Sequence, residues 1–129
     1  SAGKTRVSLY GEHGSIYLKD SAGKTRVRLR GLDGSVKVDD SAGKVRLWLR
    51  GDGSIKAYDS AGKKRLHLHG SNGRIKVYDS GEKTRVFLDG SDGRIEVYDS
   101  GGKTRVRLDG ETGRISFKTL NTRGKIYHP

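Results

Sequence analysis

Arg26-Val27-Arg28-Leu29 and Ser35-Val36-Lys37-Val38, separated by Arg30 and the run Gly31-Leu32-Asp33-Gly34, decide how this chain folds. In both runs polar and apolar side chains alternate strictly, which is the period of a half-buried strand. The glycine-flanked Leu-Asp between them is a hairpin turn in which Gly supplies the left-handed residue. If Leu29 faces Val36, then Val27 faces Val38, and both apolar pairs lie on one face. Arg28 and Lys37 then share the other.

The same two-strand unit recurs six times, over residues 1–20, 21–40, 41–59, 60–79, 80–99 and 100–119, followed by a partial repeat or tail at 120–129. A fixed period of about 20 residues marks a repeat architecture. Each unit contributes two apolar residues per strand, giving about twelve strands, and Lys125 to Tyr127 could add a thirteenth. The units are joined by a second kind of turn, such as Asp40-Ser41-Ala42-Gly43 or Asp79-Ser80-Gly81-Glu82, read as four-residue loops built on a type I turn. The third unit is one residue short, and Leu49 then faces Ile55 across Gly51-Asp52-Gly53, a three-residue hairpin that keeps the apolar face intact.

The expected fold is all-β: an elongated antiparallel meander of six two-strand repeats. The alternative is a two-sided β-solenoid with one repeat per coil. There, Arg6, Arg26, Arg46, Arg65, Arg85 and Arg105 would stack as an unbroken column of like charge, which is unfavourable at strand spacing. A closed twelve-stranded barrel would leave a lumen too wide for short Val, Ile and Leu layers to fill. A membrane barrel would need strands of about 9–11 residues. An open sheet leaves its apolar face wet, and neither end of the array carries a recognisable cap. Self-association is therefore expected, as a homo-oligomer or filament, with a trimeric prism among the arrangements.

Composition narrows the function classes. The 129 residues carry a formal charge of +12, which suits anionic partners. There is no Cys, so disulfides and thiolate metal sites are excluded. No apolar run approaches the roughly 18 residues of a membrane helix, and no membrane insertion is expected. With no Met either, the chain is expected to be processed or to be a segment of a longer protein. The regularity of the repeats also fits an engineered scaffold.

Two resemblances follow from the motifs. Tyr58-Asp59-Ser60-Ala61-Gly62-Lys63, with Tyr78-Asp79 and Tyr98-Asp99, resembles the YD repeats of the Rhs family. That likeness implies a β-shell; the family's usual extra aromatic is replaced here by Lys56, Lys76 and Glu96. The short strands and Gly-Asp turns are similar in pattern to shaft segments of phage tail fibres. Both imply an architectural role in an extracellular or virion-associated setting, and neither supplies a catalytic residue.

No nucleophile, base and orienting group recur together, so no enzymatic activity is expected. Ser21-Ala22-Gly23-Lys24-Thr25 copies the end of a phosphate-binding loop, but Leu18 stands where that motif needs Gly. His67 and His69, with His13 or His128, could ligate a metal, yet Lys76 and Arg74 beside them would repel it; no cofactor is expected. Asp89 and Asp92 read as turn residues rather than calcium ligands. The strongest signal is a basic and aromatic face. The registers give one row of Arg46, Tyr58, Arg65, Tyr78, Arg85, Tyr98 and Arg105, and a second of Arg28, Lys37, Trp48, Lys56, His67, Lys76 and Phe87. Cations amid aromatics suit an anionic polymer, either nucleic acid or an anionic glycan. The function expected first is nonetheless structural: self-association through the apolar face into a fibre, shaft or shell.

Overall fold

A computed structural model describes residues 3–117 of the chain. The strands are β1 (Val7–Tyr10), β2 (Ser15–Lys19), β3 (Thr25–Arg30), β4 (Ser35–Asp39), β5 (Val45–Leu49) and β6 (Ile55–Tyr58). After them come β7 (Lys64–His69), β8 (Arg74–Tyr78), β9 (Thr84–Asp89), β10 (Arg94–Tyr98), β11 (Thr104–Asp109) and β12 (Arg114–Phe117). They form one sheet in chain order, every neighbour antiparallel, and β1 and β12 do not close it into a barrel. The helical content among the described residues is a single 3-10 turn at Gly70–Asn72. The meander is therefore the fold, and the solenoid is excluded: Val27 pairs with Val38, not with Leu47 of the next unit. The suggested strand at Lys125 to Tyr127 and the tail at 120–129 lie outside the described residues.

The alternation fixes the register. Leu29 faces Val36, and Leu49 faces Ile55 across the shortened third hairpin. Two apolar rows cross the whole sheet, one running from Val7 and Leu18 to Val106 and Phe117, the other from Leu9 and Ile16 to Leu108 and Ile115. Neither row contains a charged residue. The described residues make a single layer, and none of them forms a second layer over these rows. No hydrophobic side chain among the described residues is buried; most of the two rows is half-buried, and Leu29 at 36% and Leu9 at 73% are among the exposed members.

The turns between units depart from the four-residue loop in an informative way. Asp40 O accepts from Gly43 N (2.9 Å), as the expected turn requires, but Asp40 N also donates to Lys44 O (2.9 Å). The loop is thus the three residues Ser41 to Gly43, and the residue left over is pushed into the strand. Val38 pairs with Leu47 while Asp39 pairs with Val45, so Arg46 is the extra residue of a β-bulge. Arg26, Arg65, Arg85 and Arg105 occupy the same position in their units.

At the opposite edge the glycine-flanked tips touch one another. Gly31 N donates to Gly14 O (2.8 Å), Gly90 N to Gly73 O (3.0 Å) and Gly110 N to Gly93 O (3.1 Å). The last Gly of a tip takes the left-handed conformation, with φ of 59° at Gly93. The first is glycine for a different reason. A Cβ on Gly70 would sit 2.6 Å from the carbonyl carbon and oxygen of Gly53.

Candidate functional site

The side of the sheet opposite the apolar rows carries the polar chemistry. Its central row runs through Arg28, Lys37, Trp48, Lys56, His67, Lys76 and Phe87, each directly opposite the next, as the sequence implied. Here the cations collect on the rings. Lys37 Nζ stands 4.2 Å from the centre of Trp48, with Arg50 at 5.3 Å and Lys56 at 5.5 Å. Lys76 and Arg94 flank Phe87 at 5.6 and 5.7 Å. A quadrupole with a negative face holds such ions at modest gain.

The expected row of alternating arginine and tyrosine is not formed. The bulges shift the register, so that Tyr58 pairs with Lys64, Tyr78 with Thr84 and Tyr98 with Thr104. The ammonium over Tyr78 belongs to Lys64, 4.8 Å from the ring centre. The arginines of that row turn instead to the aspartate six residues before them. Arg46 reaches Asp40 at 2.5 Å, Arg65 reaches Asp59 at 2.7 Å, Arg105 reaches Asp99 at 2.6 Å and Arg85 approaches Asp79 at 3.7 Å; Arg26 pairs with Asp20. Arg28 is likewise held by the buried Asp39 of the next strand, at 2.5 Å.

Each of these aspartates also organises its turn. Asp59 Oδ1 accepts from Ala61 N and Lys63 N, both at 2.9 Å, leaving Oδ2 for Arg65. The lysine amide four residues on is the main reason the carboxyls of Asp40, Asp59, Asp79 and Asp99 stay below the ordinary range, against an opposing effect of partial burial. In the dipeptides that resemble YD repeats, Tyr58, Tyr78 and Tyr98 end their strands and the following Asp caps the turn. Tyr98 differs from the others. Its hydroxyl donates to Glu96, and burial followed by that carboxylate pushes the phenol up to about 12.

The histidines form a pair, His67 and His69, with ring centres 3.5 Å apart. Burial first, then His69, Lys56, Lys64 and Lys76, lower the His67 pKa to about 4, and His69 is lowered by burial and the same lysines. His13 lies in the β1–β2 turn, far across the sheet, and His128 is outside the described residues. No group of three His, Cys, Asp or Glu side chains comes together among the described residues. Asp89, fully buried, is the centre of a charge row that the sequence did not single out. Ser91 Oγ donates to it at 2.6 Å, Arg74 pairs with it at 2.9 Å, and Arg94 lies at 3.8 Å on the other side. The signal was available: Arg74, Asp89, Arg94, Asp109 and Arg114 occupy the same position at the ends of five successive strands. Ser21 to Gly23 form a hairpin loop leading into β3, so no helix N-terminus stands there to meet a phosphate.

No family model matches the chain, and no curated protein matches it. Among solved structures, it is similar to a chain in the crystal structure of the GtfA/B complex bound to UDP and GlcNAc, with a TM-score of 0.38 and 17% identity. That similarity covers 84% of this chain and 25% of that one.

Proposed function

We propose that this chain is a structural β-repeat whose apolar face is sealed by further copies of itself, making the building unit of a fibre, shaft or shell. The observation that carries this reading is the sheet without a core: two uninterrupted apolar rows cross twelve strands and no hydrophobic side chain among the described residues is buried. A second copy is the occupant whose dimensions fit. Twelve strands at about 4.8 Å spacing make a face about 53 Å long, and two apolar rows are about 14 Å across. The product is roughly 740 Å² per copy, close to the ~800 Å² per partner of a stable interface. Two such faces pack about 10 Å apart in a sandwich without burying any charge, since neither row holds one. The row of Arg28, Lys37, Lys56 and Lys76 then faces outward on both sides.

Linkage supplies the test. If copies fold together, the midpoint of thermal unfolding rises with protein concentration. Replacing Leu68 and Val86 by Lys puts charge into the middle of both rows and should abolish assembly, with folding lost alongside it. A wild-type midpoint that stays constant over a hundredfold dilution, in a chain that remains folded, would refute the reading.

A further inference from the structure

We propose that the polar face of β4 to β8 binds a linear anionic polysaccharide through Lys37, Lys56, Lys64 and Lys76. The charge is arranged unevenly along the sheet. Strands β5 to β8 carry Arg46, Lys56, Lys64, Arg65, Arg74 and Lys76 and not one acidic residue. Acids enter the polar face on β9, β10 and β11 as Asp89, Glu96 and Asp109, and on β4 as Asp39. The arginines of the acid-free block are already spoken for by Asp40, Asp59 and Asp89. The four lysines are in no ion pair among the described residues; they rest against rings or beside the two histidines instead.

Their placement suits a polymer. Lys37, Lys56 and Lys76 occupy one row on alternate strands, so they stand about 9.6 Å apart along a straight line of about 19 Å. The lysines are half-buried, and like charges held together with no carboxylate paired to them among the described residues are relieved by an anion laid along them. His67 lies between Lys56 and Lys76 in the same row; burial first, then His69 and these lysines, hold it neutral below its ordinary range. The aromatics choose between polymer classes. Single-stranded nucleic acid is held by bases stacked on bare rings. Here Trp48 lies under Lys37 and beside Arg50 and Lys56, and Phe87 is flanked by Lys76 and Arg94. The rings serve as platforms that hold cations, which favours a ligand offering sulfates and carboxylates without bases.

Titrating the full chain with a heparin-derived dodecasaccharide tests this, with the fluorescence of Trp48, the chain's one tryptophan, as readout. Binding should weaken steeply with salt. The triple variant Lys37→Ser, Lys56→Ser, Lys76→Ser should lose affinity on the order of 100-fold. The charge-matched variant Lys4→Ser, Lys24→Ser, Lys103→Ser, altered at exposed positions outside the block, should change it less than about threefold. At saturation the His67 titration, followed by NMR, should move up by the lysine share of its lowering, with burial still holding it below its ordinary value. Equal weakening by both triple variants would overturn the proposal in favour of diffuse attraction to a +12 chain. So would an unmoved His67, or no binding at low salt. Tighter binding of a 20-nucleotide poly-dT, followed by the anisotropy of a dye on the strand, that collapses in Trp48→Ala would replace the polysaccharide with nucleic acid.

Discussion

Glycine carries two different jobs here, and substitution separates them. Gly70→Ala would drive a methyl into the Gly53 backbone and should cost about 1–3 kcal/mol in urea unfolding. Gly11→Ala, with nothing within 4 Å of the added carbon, should stay within about 0.5 kcal/mol. The sequence showed the left-handed role, because Gly ends each tip. It hid the close approach, because that depends on the tip of the next hairpin two strands away. Glu82 is the converse case, the one described non-glycine residue at positive φ, 60°, where sister turns have Gly62 and Gly102. Glu82→Gly should raise stability by about 1 kcal/mol by relieving that strain. The His67 pair adds a pH effect. Its folded pKa, about 4, lies below the ordinary 6.5, so the unfolded chain takes the proton first. Stability should be level above about pH 7.5 and decline as the pH falls toward 4, and His67→Asn should flatten that decline.

At the scale of the element, the inter-unit turn and its bulge act as one device. The aspartate caps the loop with one oxygen and anchors the bulged arginine with the other, once per unit from Asp20 to Asp99. The folded carboxyls lie below their unfolded value of 3.8, so their stabilisation is complete above that value and is lost as the pH falls through the lowered one. A second loss of stability is therefore expected below about pH 4, and Asp59→Asn should diminish it while lowering the urea midpoint at pH 7. The apolar registers were legible because a one-residue slip would turn every valine and leucine to the wrong face. The bulge was not. An extra arginine on the polar face breaks no apolar pairing, so period-two reading passes over it. The constant six-residue interval from Asp to Arg, as in Asp59 and Arg65, was the mark it left in the sequence. This is also why the row through Arg46, Tyr58 and Arg65 dissolved while the row through Lys37, Trp48 and Lys56 held: the first lies at the bulges and the second two residues away from them.

For the whole molecule, order comes from repetition, with each strand hydrogen-bonded to its sequence neighbours and glycine tips and aspartate turns knitting the two ends of the strands. The architecture was readable from twelve alternating runs and their turns. The copy proposed to cover the apolar face was not, because a partner leaves no period in the sequence beyond the stripe it covers. In the proposed assembly this stripe is covered by copies. Sedimentation equilibrium of the wild-type chain at micromolar concentration tests it most directly. A mass of two or more times 14.1 kDa, returning to about one chain mass on replacing Leu68 and Val86 by Lys, is the predicted result. A folded wild-type chain that sediments at 14.1 kDa across the concentration range would contradict it.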